Sequence, residues 1–436
     1  MPRSSRTNMS GFLGAAIRSF SGRILGALSA LIAAYSVTSN LSVSESGLFF
    51  LSLGFAIFFS HLLRFGLDNF VLKKCAIYLS DGNNRAFLSI VVVSAFICIV
   101  GSLIIYVALC ASDWIVTYGY MKYLLLAYPA AVAVALLGIT AHSLHASGFV
   151  FIGAATNTSL HYLIFSIFIW YLTPSNAAEV ILLFSVACYF SLFVQIAIAL
   201  FLYARKGIKY SEWKKIQLNN VDYQEIYRTT IPLWMVVIAQ QLNQWGAQFI
   251  SSIHVAEEEL ALLAIAMRLA LLVPMILTAV NMVVSPKFAA HYHKGEIKQT
   301  EEVLAKSLKL LAIVSLLVFF TMVLFGDDVL SIFGSQYIEA AGLLSILVCG
   351  QLINAMTGPS GKLLMMSGFE KDVRSSSIVV AALGLFLALI LTAKYGVYGA
   401  AISTALAISA QNIAFAFLVE YRLQINLLKV YKSFFR

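Results

Sequence analysis

Long, uninterrupted apolar windows recur along the whole chain, and no other feature constrains its fold as much. A bilayer core of about 30 Å needs about 20 apolar residues in helical form, because only helices and closed barrels satisfy their backbone groups in lipid. Twelve windows approach or reach that length, over residues 21–40, 47–64, 86–110, 119–141, 149–172, 179–203, 229–253, 260–285, 307–326, 339–359, 376–393 and 397–419. Within them the apolar residues are continuous and do not alternate, which excludes barrel strands. Composition agrees: 61% of the 436 residues are apolar and 11% charged, against roughly half and a quarter in soluble domains. The expected fold class is therefore all-α, a polytopic membrane protein of about twelve helices.

A net charge of +9 would fit a nucleic-acid partner only if the basic residues formed a face of a soluble domain. Here they sit in short segments between windows, so no nucleic acid is expected and the charge reads as membrane orientation. Positive residues are retained on the cytoplasmic side. With the N-terminus placed there, that side receives Arg3, Arg6, Arg18 and Arg23, then Arg64, Lys73, Lys74 and Arg85, then Arg205 to Arg228 and the later basic segments, 26 of the 29 Lys and Arg in all. Lys122, Arg268 and Lys394 fall elsewhere, and the opposite loops carry Glu45, Asp113, Glu179, Glu257 to Glu259, Asp327, Asp328 and Glu339. Both termini are thus expected to be cytoplasmic. The basic stretch before the first window could open a secretory signal, but the many later windows favour a retained helix with residues 11–20 as an interfacial lead-in. The five cysteines show no disulfide or zinc spacing and read as structural.

The longest polar stretch, about 204–228, divides the windows into two sets of six. It reads as a linker between an N-terminal lobe (1–206, helices 1–6) and a C-terminal lobe (229–436, helices 7–12), with 207–228 cytoplasmic. His145-Ala146-Ser147-Gly148-Phe149 has a counterpart 220 residues later in Met365-Met366-Ser367-Gly368-Phe369, and an offset of 214 brings Glu45 onto Glu259. Those offsets point to an internal duplication. Six spans per repeat give both the same orientation, which predicts a pseudo-two-fold axis along the membrane normal and a central cavity.

Arg268 lies about eight residues into the eighth window, ~12 Å from its outer end. Placing Arg there costs roughly 2.5–3.5 kcal/mol, so it should face protein or water, either to contact an anion with its planar fork or to lock two helices. Arg64 and Asp68, spaced i, i+4, form an ordinary helical ion pair on the structural reading; Arg64 and Arg23 could instead serve at the inner mouth or snorkel. Gln240, Gln244, Gln248 and Ser251 form one stripe on the seventh helix, with Gln351 and Asn354 as a shorter one on the tenth. Amides suit hydroxyl-rich cargo, and interhelical bonding is the competing role. Pro129 and Pro274 should kink their helices, as hinges or as packing features. His61 and His161 read as packing residues. No carboxylate lies centrally in a window, so ion coupling through a buried carboxylate is not expected, and no phosphate-binding loop or metal cluster appears. Cofactors and catalytic residues are expected to be none.

Taken in order, Gly22-Arg23-Ile24-Leu25, Phe65-Gly66-Leu67-Asp68, Ala266-Met267-Arg268-Leu269, Thr357-Gly358-Pro359 and Tyr395-Gly396-Val397-Tyr398-Gly399-Ala400-Ala401 resemble the polysaccharide and O-antigen flippases of the multidrug/oligosaccharidyl-lipid/polysaccharide exporter superfamily. The similarity covers nearly the whole chain. It implies two six-helix lobes around a cationic lumen, alternating access, and an undecaprenyl-diphosphate-linked oligosaccharide as cargo. A place in lipopolysaccharide assembly is implied with it, in the bacterial inner membrane beside the polymerase and glycosyltransferases of the pathway. The resemblance also implies that Arg268, Arg64 and Arg23 contact cargo. One departure is that many relatives carry an acidic residue near the position of Ala247 and Gln248. Competing readings are a peptidoglycan-precursor flippase, a multidrug antiporter, which would call for membrane carboxylates, and a membrane glycan polymerase, which would call for a larger outer loop.

Overall fold

A computed structural model describes residues 9–111, 120–208 and 223–433. Arg3, Arg6, Asp113 and most of the linker lie outside the described residues, as do the side chains of the lead-in at 11–20 and of Arg18. Among the described residues all regular structure is helical. The elements are α1 (Met9–Asn40), α2 (Val43–Leu63), α3 (Leu67–Ser80), α4 (Asn84–Cys110), α5 (Met121–Ala146), α6 (Val150–Thr158), α7 (Leu160–Leu172), α8 (Ala177–Arg205), α9 (Tyr223–His254), α10 (Glu257–Ala270), α11 (Met275–His293), α12 (Ile297–Leu324), α13 (Gly326–Ser331), a 3₁₀ turn (Ser335–Ala340), α14 (Ala341–Thr357), α15 (Ser360–Met366), α16 (Glu370–Leu423) and α17 (Leu427–Ser433).

Among the described residues nine helical segments are long and apolar enough to cross a membrane. The last of them, α16, is two helices joined where Gly396 takes φ 56° and ψ −138°. Adding α9, whose Gln and Asn residues lower its hydropathy, and the pair α10–α11, which the break at Pro274 shortens, gives the twelve expected from sequence. The eighth window, expected as one helix over 260–285, is divided. Pro274 has no N–H to give and its ring opposes the carbonyl of residue 270, so α10 ends at Ala270 and α11 starts at Met275. Pro129, by contrast, is accommodated inside an unbroken α5. The second window ends where expected, but the chain beyond it is not a loop. Phe65 (φ 47°) and Gly66 (φ 72°) are left-handed, a conformation no right-handed helix can pass through. Past them α3 buries Leu67, Phe70, Val71 and Cys75, a spacing that keeps one face inward.

The duplication is written into the element bounds. The end of α1 and the starts and ends of α2 with α3 and of α4 recur 213–214 residues later in α9, in α10 with α11, and in α12 (40 against 254; 43 and 80 against 257 and 293; 84 and 110 against 297 and 324). From α5 onward the offset is 220, with 121 and 146 against 341 and 366, and 150 against 370. The repeated Ser-Gly-Phe passage has a physical cause. Gly148 and Gly368 both take φ 85°, and the following Phe donates its N–H back to Leu144 O at 2.9 Å and to Leu364 O at 3.0 Å. This is the six-to-one bond of a glycine helix stop.

Packing separates two compact units, Ser21–Gln241 and Met1–Phe20 with Leu242–Arg436, so the division falls inside α9. In the first unit α5 presents Ala130, Ala131, Ala133, Ala135, Gly138 and Ala141, all buried, and small residues let membrane helices approach closely. In the second, Gly350 of α14 lies against α16 so tightly that a Cβ there would sit 2.7 Å from the Cα of Ala405.

Candidate functional site

Breaking α2 at Arg64 leaves carbonyls at its C-terminus that favour a cation, and starting α3 at Leu67 leaves N–H groups that favour an anion. Arg64 and Asp68 occupy those two ends. The Arg64 side chain does not snorkel: the residue is only 7% exposed. Its Nε donates to Ser60 O at 3.1 Å, and Nη1 pairs with Asp68 Oδ2 at 2.9 Å. The guanidinium lies on α5 at Gly138, where a Cβ would come within 2.6 Å of Nη1. A glycine at that point is what allows a buried arginine there.

Histidines complete the cluster. His142 lies one helical turn beyond Gly138, and its Nδ1 donates to the Gly138 carbonyl at 2.8 Å. That same Nδ1 is 3.9 Å from Asp68 Oδ1, a buried oxygen that accepts no hydrogen bond among the described residues. His145 follows at 5.6 Å between ring centroids and lies against Gly153 of α6, within the electrostatic reach of Arg23. On α2, His61 Nδ1 donates to Ile57 O at 2.9 Å. The first turns of α9 brace the break. Trp234 Nε1 donates to Leu62 O at 3.0 Å, its ring is 5.7 Å from that of Phe65, and Lys74 of α3 pairs with Glu225 at 2.7 Å.

The amide residues of the C-terminal unit form a separate polar seam. Asn243 Nδ2 donates to Gln411 Oε1 at 3.4 Å, and Gln411 Nε2 to Ser376 Oγ at 3.4 Å. Gln351 accepts from Asn354 at 3.1 Å, so the tenth-helix stripe bonds within itself. Along α9, Gln240 is exposed and belongs to the first unit, Gln244 is half-buried, and Gln248 and Ser251 are buried in the second. Arg268 is half-buried and engaged in the last turn of α10, just before the Pro274 break. His161 is buried with its ring 6.0 Å from that of Phe184, in keeping with a packing role.

The structure thus joins Arg64 to Asp68 and brings Arg23 toward His145. Sequence reasoning passed over His142 as a member of the site. Gly138, His142 and His145, spaced four and three, share a helix face, and that spacing was the available signal.

Residues 236–390 match the MatE family. A protein of Haloferax volcanii described as "Probable low-salt glycan biosynthesis flippase Agl15" is 26% identical over 139 residues, 32% of this chain and 29% of that protein; the similarity spans under a third of the relative's length. Among solved structures, the inward-facing conformation of a multidrug resistance MATE family transporter of the MOP superfamily superposes with a TM-score of 0.71 at 17% identity, covering 95% of this chain and 99% of that one. Its outward-facing conformation gives 0.66 at 16% identity, with 96% of each chain covered. A MOP superfamily transporter from Pyrococcus furiosus gives 0.66 at 16%, with 95% of each covered. The chain thus shares the multi-pass fold of these transporters, and its residues 236–390 resemble the MatE family.

Proposed function

We propose that this chain, which has the fold of MOP superfamily transporters and resembles the MatE family over residues 236–390, is a flippase that performs no chemistry and moves a lipid-linked oligosaccharide across its membrane. In the specific form of the reading, the cargo is an undecaprenyl-diphosphate-linked repeat unit of O-antigen or a similar surface polysaccharide. Transport runs by alternating access from the cytoplasmic to the periplasmic leaflet of a bacterial inner membrane.

One observation carries the reading. Arg23, Arg64 and Arg268 lie in α1, at the end of α2 and in α10, where carboxylates are absent (α1) or confined to first turns, as Glu45 in α2, Asp68 of α3 beside Arg64, and Glu257 to Glu259 in α10. Charge inside a membrane is expensive and is retained where it serves cargo or ions. A diphosphate needs such counter-charge, and the fork of Arg suits phosphate oxygens. Buried amides such as Gln248 and Gln351 supply the neutral donors and acceptors that sugar hydroxyls need. A cationic drug would call for the reverse polarity.

Deletion of the gene tests this directly. Surface glycan should disappear while the lipid-linked repeat unit is still made and accumulates on the cytoplasmic face. Polymerisation or sugar transfer by the purified protein in detergent would overturn the reading, and accumulation of the peptidoglycan precursor instead would reassign the cargo.

A further inference from the structure

Asp68 lies between two bases. Arg64 holds Oδ2, and Oδ1 is turned toward His142. Arg64 itself is fixed by Ser60 and by the surface of Gly138, so the charge balance of the cluster cannot change by the guanidinium swinging away. It can change by protonation. Because Nδ1 of His142 is committed to the Gly138 carbonyl, which only accepts, the lone pair of the neutral ring is on Nε2.

We infer that His142 and Asp68 form a proton-binding site that sets the anion affinity of Arg64. A proton taken from water onto His142 Nε2 forms one N–H bond and breaks none in the protein. Before that step one cation faces one carboxylate and the cluster is neutral; afterwards two cations share a single carboxylate and the cluster carries one positive charge. Asp68 then holds Arg64 less tightly, and an anionic group such as a diphosphate finds an uncompensated guanidinium. The inference rests on the flippase reading, in which the cargo's anionic group meets Arg64.

The groups facing His142 are consistent with a site of this kind. Asp68 faces it from α3, and Arg64 and His61 from the end of α2. Cys98 of α4 faces Arg64 and Asp68, and His145 lies on the same helix as His142. From α8, Tyr203 reaches the neighbouring Ser143 at 2.6 Å; α6 has no titratable residue. The duplication supplies an independent argument. At the repeat offsets, Arg64, Asp68 and His142 correspond to Thr278, Met282 and Lys362, so the second repeat has a permanent cation and no carboxylate in place of the titratable pair. Gly138, by contrast, corresponds to Gly358. The helices are duplicated and the proton site is not, as expected of residues kept for function and not for the fold.

The test is binding of inorganic pyrophosphate to the full chain in nanodiscs by calorimetry, with thermal unfolding as a check of folding. Relative to His142→Gln, wild type should bind about tenfold more tightly at about pH 5.5 than at about pH 8. His142→Gln should bind weakly at both, and His142→Lys, which copies the second repeat, tightly at both. Because pyrophosphate changes charge over the same range in every sample, the readout is the difference between wild type and variant: a pH dependence equal in wild type and His142→Gln overturns the inference. If deletion leaves glycan export intact while pyrophosphate binding still follows His142, the flippase reading falls and the proton site stands.

Discussion

Arg64 shows how much of a site can hang on single atoms. Its guanidinium occupies the space a side chain on Gly138 would take, with a Cβ there 2.6 Å from Nη1 and 3.0 Å from Cδ. Gly138→Ala must therefore displace the arginine from Asp68. We expect transport per folded molecule to fall several-fold, with a stability cost of about 1–2 kcal/mol; unchanged export would mean that the position of Arg64 is not used. Arg268 is the second test at this scale. Arg268→Lys should retain partial export and Arg268→Ala should reduce it by roughly ten- to a thousand-fold at near-normal abundance, if the contact is strongest when cargo is occluded. Loss of abundance and export together would make it a packing residue. Asp68→Ala is the comparison, since it removes the partner of Arg64 and leaves Arg268 untouched. The spacing of Arg64 and Asp68 predicts a pair of i, i+4 neighbours on one helix; the pair forms instead across the break between α2 and α3. The approach of His142 was not legible, because it joins helices more than 70 positions apart and depends on Gly138 admitting the guanidinium between them.

Element breaks decide where these side chains stand. Gly66 takes φ 72°, and a Cβ on it would lie 2.5 Å from the backbone oxygen of Thr230 in α9. Gly82 takes a similar φ, 68°, with nothing within 4 Å. Left-handed strain alone costs a non-glycine residue about 1 kcal/mol, and a clash with backbone adds to it because backbone cannot rotate aside. Gly66→Ala should thus destabilise by about 2–4 kcal/mol and Gly82→Ala by about 1 kcal/mol, read as thermal unfolding in detergent. Equal shifts would show that α9 does not brace the break. Burial pushes the thiol of Cys75 in α3 up, so in the folded protein it should resist maleimide and react once unfolded. The apolar windows made the long helices legible, and Pro274 marked one break. Helix α3 was missed because its buried positions, Leu67, Phe70, Val71 and Cys75, are interspersed with Asp, Asn and Lys and fall below any membrane window.

At the scale of the molecule, orientation is the first prediction to check. Reporter fusions after residues 215, 295 and 432 should read cytoplasmic, and fusions after 43, 257 and 328 periplasmic, because the basic residues partition to one side. A consistently inverted pattern would exchange the inner and outer mouths and with them the leaflet from which cargo is taken. What sequence determined alone was everything set by a chain's average solvent: twelve spans, because apolar runs have no other stable place, and two repeats, because the Ser-Gly-Phe helix stop recurs at an offset of 220 and Glu45 meets Glu259 at 214. Tertiary structure decided the rest. It placed the packing boundary within α9 because Trp234 and Glu225 bind the first unit through Leu62 and Lys74. It also joined Asp68 to a histidine of another helix. Hydropathy is a property of a segment and is carried by local composition, whereas a charge site is a property of distances between segments, set by which small residues let helices meet.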